Sequence, residues 1–249
     1  MIAPKPFFII DQQQFDAGTA LWLQNINDAA SGDPDALRKS FQSHGSLLQY
    51  AGFSSDQIVQ LLSTVGGCRI NARFLVIDTT FRVALYVSDA LNMRLSAYYI
   101  SLKPASEAVA TSTKSTMLSD DGGPGMQVDH ALVARWLQNW AAVDELAINA
   151  PKFTTSYGPL KGYTFGLKDF LEPLFGVSAF PPPADLLMRV EFGLHEYYSQ
   201  NDTTELTQTF GLVVRLNETA GSGASGSAAP FFDMTTPCPP ICGYSALSS

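Results

Sequence analysis

The hydrophobic pattern runs through helical and then strand periodicity twice along the chain. After an apolar lead-in at Phe7 to Ile10, Asp11 is placed to cap a helix reaching about Ala29. Phe15, Thr19, Trp22, Leu23 and Ile26 fall at three- and four-residue steps in it and predict one buried stripe. A break at Ser31 to Pro34 precedes a short helix expected at Asp35 to Phe41. Ser54 or Ser55 can cap a third, with Ile58, Leu61 and Leu62 facing inward and Gly66-Gly67 ending it. The period then becomes two. Ile70, Ala72, Phe74 and Val76 alternate with Asn71, Arg73, Leu75 and Ile77, and a turn at Asp78 to Thr80 leads into Val83, Leu85 and Val87. With a third strand offered by Met93 to Leu102, an antiparallel meander is expected.

The second half repeats this order. Leu132, Trp136, Trp140 and Val143 form the heavy stripe of a helix over about Val128 to Ile148, widened by Val133 and Leu137. Residues 165–175 supply a shorter helix, and Pro181-Pro182-Pro183 forbids one thereafter. Leu186 to Tyr198 and Gln208 to Leu216 predict two antiparallel strands. The spelling repeats as well. Trp22-Leu23-Gln24-Asn25 recurs as Trp136-Leu137-Gln138-Asn139, and Phe53 to Leu62 is answered by Phe165 to Leu174. A weaker match joins Arg73-Phe74-Leu75-Val76 to Arg189-Val190-Glu191-Phe192.

The expected fold class is α+β: two similar helix-helix-strand-strand units with antiparallel sheets in a pseudo-twofold arrangement, each sheet buried against its own helices. The units span 1–105 and 127–220, with a linker or crossover at 106–126 and a flexible spacer and Pro/Cys tail at 221–249. Trp22, Trp136 and Trp140 are the core or interface candidates.

A 249-residue chain with 46% hydrophobic residues can bury a sizeable core without metal or disulfide support. Its charge of -8, with no Lys/Arg cluster, opposes binding to a phosphate backbone and excludes nucleic acid as the expected partner. The first residues lack the charged and apolar regions of a secretory signal, and no apolar run approaches a membrane span, so no membrane association and a cytoplasmic location are expected. Asn201-Asp202-Thr203 and Asn217-Glu218-Thr219 are chance glycosylation triplets in that setting.

Chemistry is sparse. His44 and His130 have no ligand-like partner at a motif spacing, whereas His195 shares a strand face with Arg189, Glu191, Gly193 and Tyr197. This base, acid, imidazole and phenol are the catalytic candidates, although Glu191 and His195 stand roughly 13 Å apart on an extended strand, beyond direct hydrogen bonding. The plainer account is a polar sheet face balanced by cross-strand charges such as Arg215. No nucleophile elbow, phosphate loop or His-Glu-x-x-His helix accompanies the face, and no cofactor is expected. Cys68, Cys238 and Cys242 are the metal candidates, needing a histidine and tertiary convergence to complete zinc. Free thiols, or a redox pair at Cys238 and Cys242, are the other accounts; the intervening Pro239-Pro240 makes a stiff tail that can pin onto a groove or sheet edge.

Phe53-Ser54-Ser55-Asp56-Gln57-Ile58 to Leu61-Leu62, then Cys68-Arg69 and a terminal Cys238-Pro239-Pro240-Ile241-Cys242, resembles a group of uncharacterised Bacteroidota proteins. Those open with a helix, continue through a phenylalanine-initiated helix before a cysteine, and close in Cys-Pro-Pro-x-Cys. The chain departs from them at Cys68-Arg69-Ile70-Asn71-Ala72-Arg73, where they often show a Gly-Ile-Arg-Ile-Tyr-like strand. The resemblance implies a bacterial source and an accessory protein, and carries no activity, cofactor or catalytic residue. The sequence therefore favours a non-catalytic interaction or ligand-binding protein, with a protein partner, a second copy or a small molecule as its counterpart. A small-molecule enzyme using the Arg189/Glu191/His195/Tyr197 face and a metal- or thiol-tethered structural protein are the alternatives.

Overall fold

The computed structural model describes residues 8–102, 130–167, 169–171, 187–198, 206–217 and 236–238. Asp11 caps α1 (Gln12–Ala30) through a reciprocal box, its carboxylate accepting from the Gln14 N–H while the Gln14 side chain accepts from its own. Ser54 and Gln57 form the same box at α3 (Ser55–Leu62). Between them lie α2 (Asp35–Ser40), the hairpin β2 (Gln42–Ser43) and β3 (Ser46–Leu47), and the buried strand β4 (Tyr50–Ser54). A two-residue strand β1 (Ile9–Ile10) precedes α1; β5 (Arg69–Ile77), β6 (Thr80–Ser88) and β7 (Tyr98–Ile100) follow α3. The second half gives α4 (His130–Ala141), two 3-10 turns, the hairpin β8 (Thr154–Thr155) and β9 (Gly158–Pro159), β10 (Gly162–Gly166), β11 (Leu187–Tyr198), β12 (Leu206–Asn217) and β13 (Thr236–Cys238).

Two antiparallel sheets, in the orders β1-β7-β6-β5-β10-β13 and β12-β11-β4, enclose the core. The fold is α+β, but the sheets are not private to their halves. β4 of the first half pairs with β11, and β10 of the second pairs with β5. Each long hairpin thus takes a neighbouring strand from the other half, and both sheets close over one set of aromatic side chains. Gly162 makes one exchange possible: at φ +142 it lies so close to the Ala72 carbonyl that no Cβ could fit.

Several hydrogen bonds recur at matching places in the two halves of the chain. Trp22 Nε1–H donates to the Leu160 carbonyl at 2.8 Å, and Trp140 Nε1–H to the Leu48 carbonyl at 2.7 Å. Leu48 and Leu160 each donate to the carbonyl of a phenylalanine, Phe41 and Phe153, whose rings stack at 5.2 Å. Phe74 donates to Lys161, and Phe192 to Gln49. The Ser54 N–H is held by Gln57 as the Gly166 N–H is held by Asp169. Trp22 therefore corresponds to Trp140 rather than to Trp136. The shared spelling is one helical turn out of step, and a four-residue shift preserves the buried face, so periodicity cannot separate the two alignments.

Other boundaries move for local reasons. The strand expected from Met93 narrows to Tyr98–Ile100, because the Asp89 carboxylate accepts from the Leu91 and Met93 N–H groups and closes a tight loop. α4 stops at Ala141, and Asp144 then caps a 3-10 turn at Glu145–Ala147. Of the helix expected at 165–175, residues up to Gly166 are strand and 169–171 form one helical turn. The remainder, with the 106–126 segment, Pro181 to Pro183, the 221–235 spacer and Cys242, lies outside the described residues.

Candidate functional site

Period two does place Arg189, Glu191, Gly193, His195 and Tyr197 on one face of β11, the outer face of the three-stranded sheet, and α4 packs across it. Gly193 lies under the Trp136 Cβ, and its cross-strand partner Gly211 lies under the His195 ring. The two glycines make a hollow, which the Trp136 indole and the His195 imidazole fill as a stack with centroids 3.8 Å apart. Val133 and Val213 close one side of it.

The remaining candidates are engaged locally. Arg189 spreads over the Tyr50 ring at 4.2 Å, Tyr197 accepts from the Thr209 hydroxyl, and Glu191 stands opposite Tyr50 and Val213. In the strand register Arg215 is the cross-strand partner of Arg189. Next to His195, Glu196 forms an ion pair with Arg135 of α4. His195 Nε2 is buried with no hydrogen-bond partner among the described residues, and burial lowers its pKa to about 4. At neutral pH the imidazole is therefore neutral and a weak base. Sequence periodicity identified the face; the Gly193/Gly211 hollow that lets α4 descend onto it required the strand register.

This hollow predicts that Gly211→Ala will push the imidazole off Trp136, since its Cβ would overlap His195 Nε2. The expected cost is about 1–3 kcal/mol. A changed Trp136 environment by near-UV circular dichroism, together with a lowered urea midpoint, is the readout.

The cysteine candidates separate. Cys68 is exposed just before β5, while Cys238 pairs with Gly162, itself opposite Arg73. Five strand positions and two interstrand steps put the Cys68 and Cys238 backbones roughly 19 Å apart, too far to share one metal. His44 sits exposed in the β2–β3 turn with φ 51. His130 begins α4. Among the described residues no group of three His, Cys, Asp or Glu side chains could hold a metal ion.

A surface that the sequence reading passed over lies at one end of the six-stranded sheet. Leu91 is 82% exposed, Met93 63% and Val65 93%, and Leu95 lies beside Gly66 of the Val65 loop. The loop carrying Leu91 and Met93 is held firmly. In addition to the two Asp89 carboxylate bonds, Asp89 N–H donates to Met93, Asn92 N–H donates to Asp89, and Arg69 donates to the Asn92 side chain at 2.6 Å. The chain matches no known protein family, no curated protein and no solved structure.

Proposed function

We propose that this chain is a non-catalytic interaction protein that meets a protein partner through the apolar loops carrying Val65, Leu91, Met93 and Leu95. The observation that carries this reading is the ordered loop around Asp89, which holds two large apolar side chains in solvent instead of letting them collapse. A preorganised apolar loop loses little conformational entropy on association, so its burial is available for binding. The Arg189/Glu191/His195/Tyr197 face supports catalysis less well, because its imidazole is packed between α4 and the sheet.

The test is site-specific photocrosslinking in producing cells with p-benzoylphenylalanine at Leu91, with the distant and exposed Tyr157 as control. A discrete adduct at position 91 alone, abolished by adding Met93→Asp, is expected. Absence of an adduct at 91, or the same adduct at both positions, counts against the reading. Circular dichroism should show Met93→Asp folded, because the Met93 side chain is solvent-exposed.

A further inference from the structure

The outer face of the six-stranded sheet carries a polar cluster that the interaction reading does not use. Arg73 on β5 is only 7% exposed, yet its guanidinium is held by neutral groups: it donates to the Ala72 and Tyr163 carbonyls and the Asn71 side-chain oxygen and lies over the Tyr86 ring, 5.7 Å from the centroid. Asn71 is fixed in turn by Ser88 and Thr164. A second guanidinium, Arg94, lies over the Tyr98 ring at 4.3 Å and donates to Ser96 and Gln12. The Tyr86 and Tyr98 rings meet edge to face at 5.3 Å, and both arginines act electrostatically on Tyr86. Among the described residues, no carboxylate is paired with either guanidinium.

Burying a guanidinium without a counter-charge is costly, and neutral carbonyls only partly offset the loss of water. The other half of the molecule makes the contrast plain. The Phe74–Phe192 and Val83–Leu212 correspondences place Asn71, Arg73 and Tyr86 where the second sheet has Arg189, Glu191 and Arg215. That set includes its own carboxylate; the Arg73 set has none, and the Asp16 carboxylate reaches Arg94 only through the Gln12 side chain. A guanidinium fork beside a phenol hydroxyl suits a planar or tetrahedral oxyanion.

We infer that Arg73, Arg94 and Tyr86 form an oxyanion-binding site on the outer face of β5, β6 and β7, taking the carboxylate or phosphate group of a small ligand. The site adjoins the Leu91 loop, because Arg94 lies between Met93 and Leu95, but it does not depend on that proposal. Arg73 supplies the buried fork, Tyr86 a hydroxyl, and the exposed Arg94 the entry charge.

The probes are inorganic phosphate and acetate, each compared with chloride at equal ionic strength and pH 7. Binding is followed through the arginine Nε–H resonances and the thermal midpoint of the whole chain. Saturable shifts of both the Arg73 and Arg94 resonances are expected with at least one probe, accompanied by a rise in midpoint. Arg94→Gln should weaken that binding at least about tenfold while leaving the unliganded midpoint close to wild type, since Arg94 lies at the surface. Arg73→Met should abolish the response. Should it fail to fold, the direct Arg73 resonance shift in wild type still decides the matter. Unmoved resonances with both anions, or shifts undiminished in Arg94→Gln, would overturn the inference. Phosphate acting without acetate, or acetate without phosphate, assigns the ligand group.

Discussion

Trp140→Ala and Trp22→Ala should prove nearly equal in cost and the most damaging single substitutions in the two helices. Both rings are fully buried, and each packs on the same two stacked phenylalanines, Phe41 and Phe153. Each also satisfies one loop carbonyl of the opposite half. Truncating a buried Trp to Ala costs about 3–5 kcal/mol, and the abandoned carbonyl adds about 1–3 kcal/mol. Against a total stability of about 5–15 kcal/mol, either change leaves little, and the double variant should not fold. Trp136→Ala should cost clearly less. Its indole covers the outside of a sheet, and its Nε1–H has no hydrogen-bond partner to lose among the described residues. Urea unfolding of the three single variants tests the correspondence. If Trp136 matched Trp22 in cost while Trp140 did not, the one-turn shift would be wrong.

That pairing shows what the chain discloses before folding. Caps, periods and turns are local, so α1, the hairpin β5–β6 and the hairpin β11–β12 fall close to where their patterns put them. Which strand completes a hairpin is decided by burial across the whole core. Tyr50 to Ser54 and Gly162 to Gly166 are five-residue stretches containing glycine, too short to predict as strands, so their exchange is illegible in the sequence. The same limit governs the candidate site. Alternation along β11 groups Arg189, Glu191, His195 and Tyr197 correctly, but Gly211 enters only through register, and it is Gly211 that gives His195 room to lie under a helix. Met93 falls within the strand expected at Met93 to Leu102, because an apolar run does not reveal that an aspartate upstream will fold its start into a loop.

Acid should loosen this molecule specifically at the α4 face. His195 has an unfolded-state pKa near 6.5 and a folded one lowered to about 4 by burial. The unfolded chain therefore binds its proton first: stability is intact above pH 6.5, falls as pH drops through the interval, and levels off below about 4. Integrated over that window the linkage is worth about 3 kcal/mol. The indole of Trp136 attracts an imidazolium by about 0.5–2 kcal/mol, which opposes the desolvation without reversing its direction. Other charges packed against the ring do little to help. Glu196 is already paired with Arg135 of α4, and the β12 residues nearest the ring in register, Thr209, Gly211 and Val213, are uncharged. The expected result is a wild-type stability that declines between pH 7 and 4 by about 1–3 kcal/mol more than that of His195→Phe, whose ring keeps the stack but cannot titrate. Parallel pH profiles for the two proteins, measured by urea unfolding, would show that the buried imidazole is not the group that acid attacks. Loss of the Trp136 near-UV signal ahead of global unfolding would further localise the opening to α4, because Trp136 alone among the tryptophans touches the titrating ring, while Trp22 and Trp140 are sealed in the aromatic core.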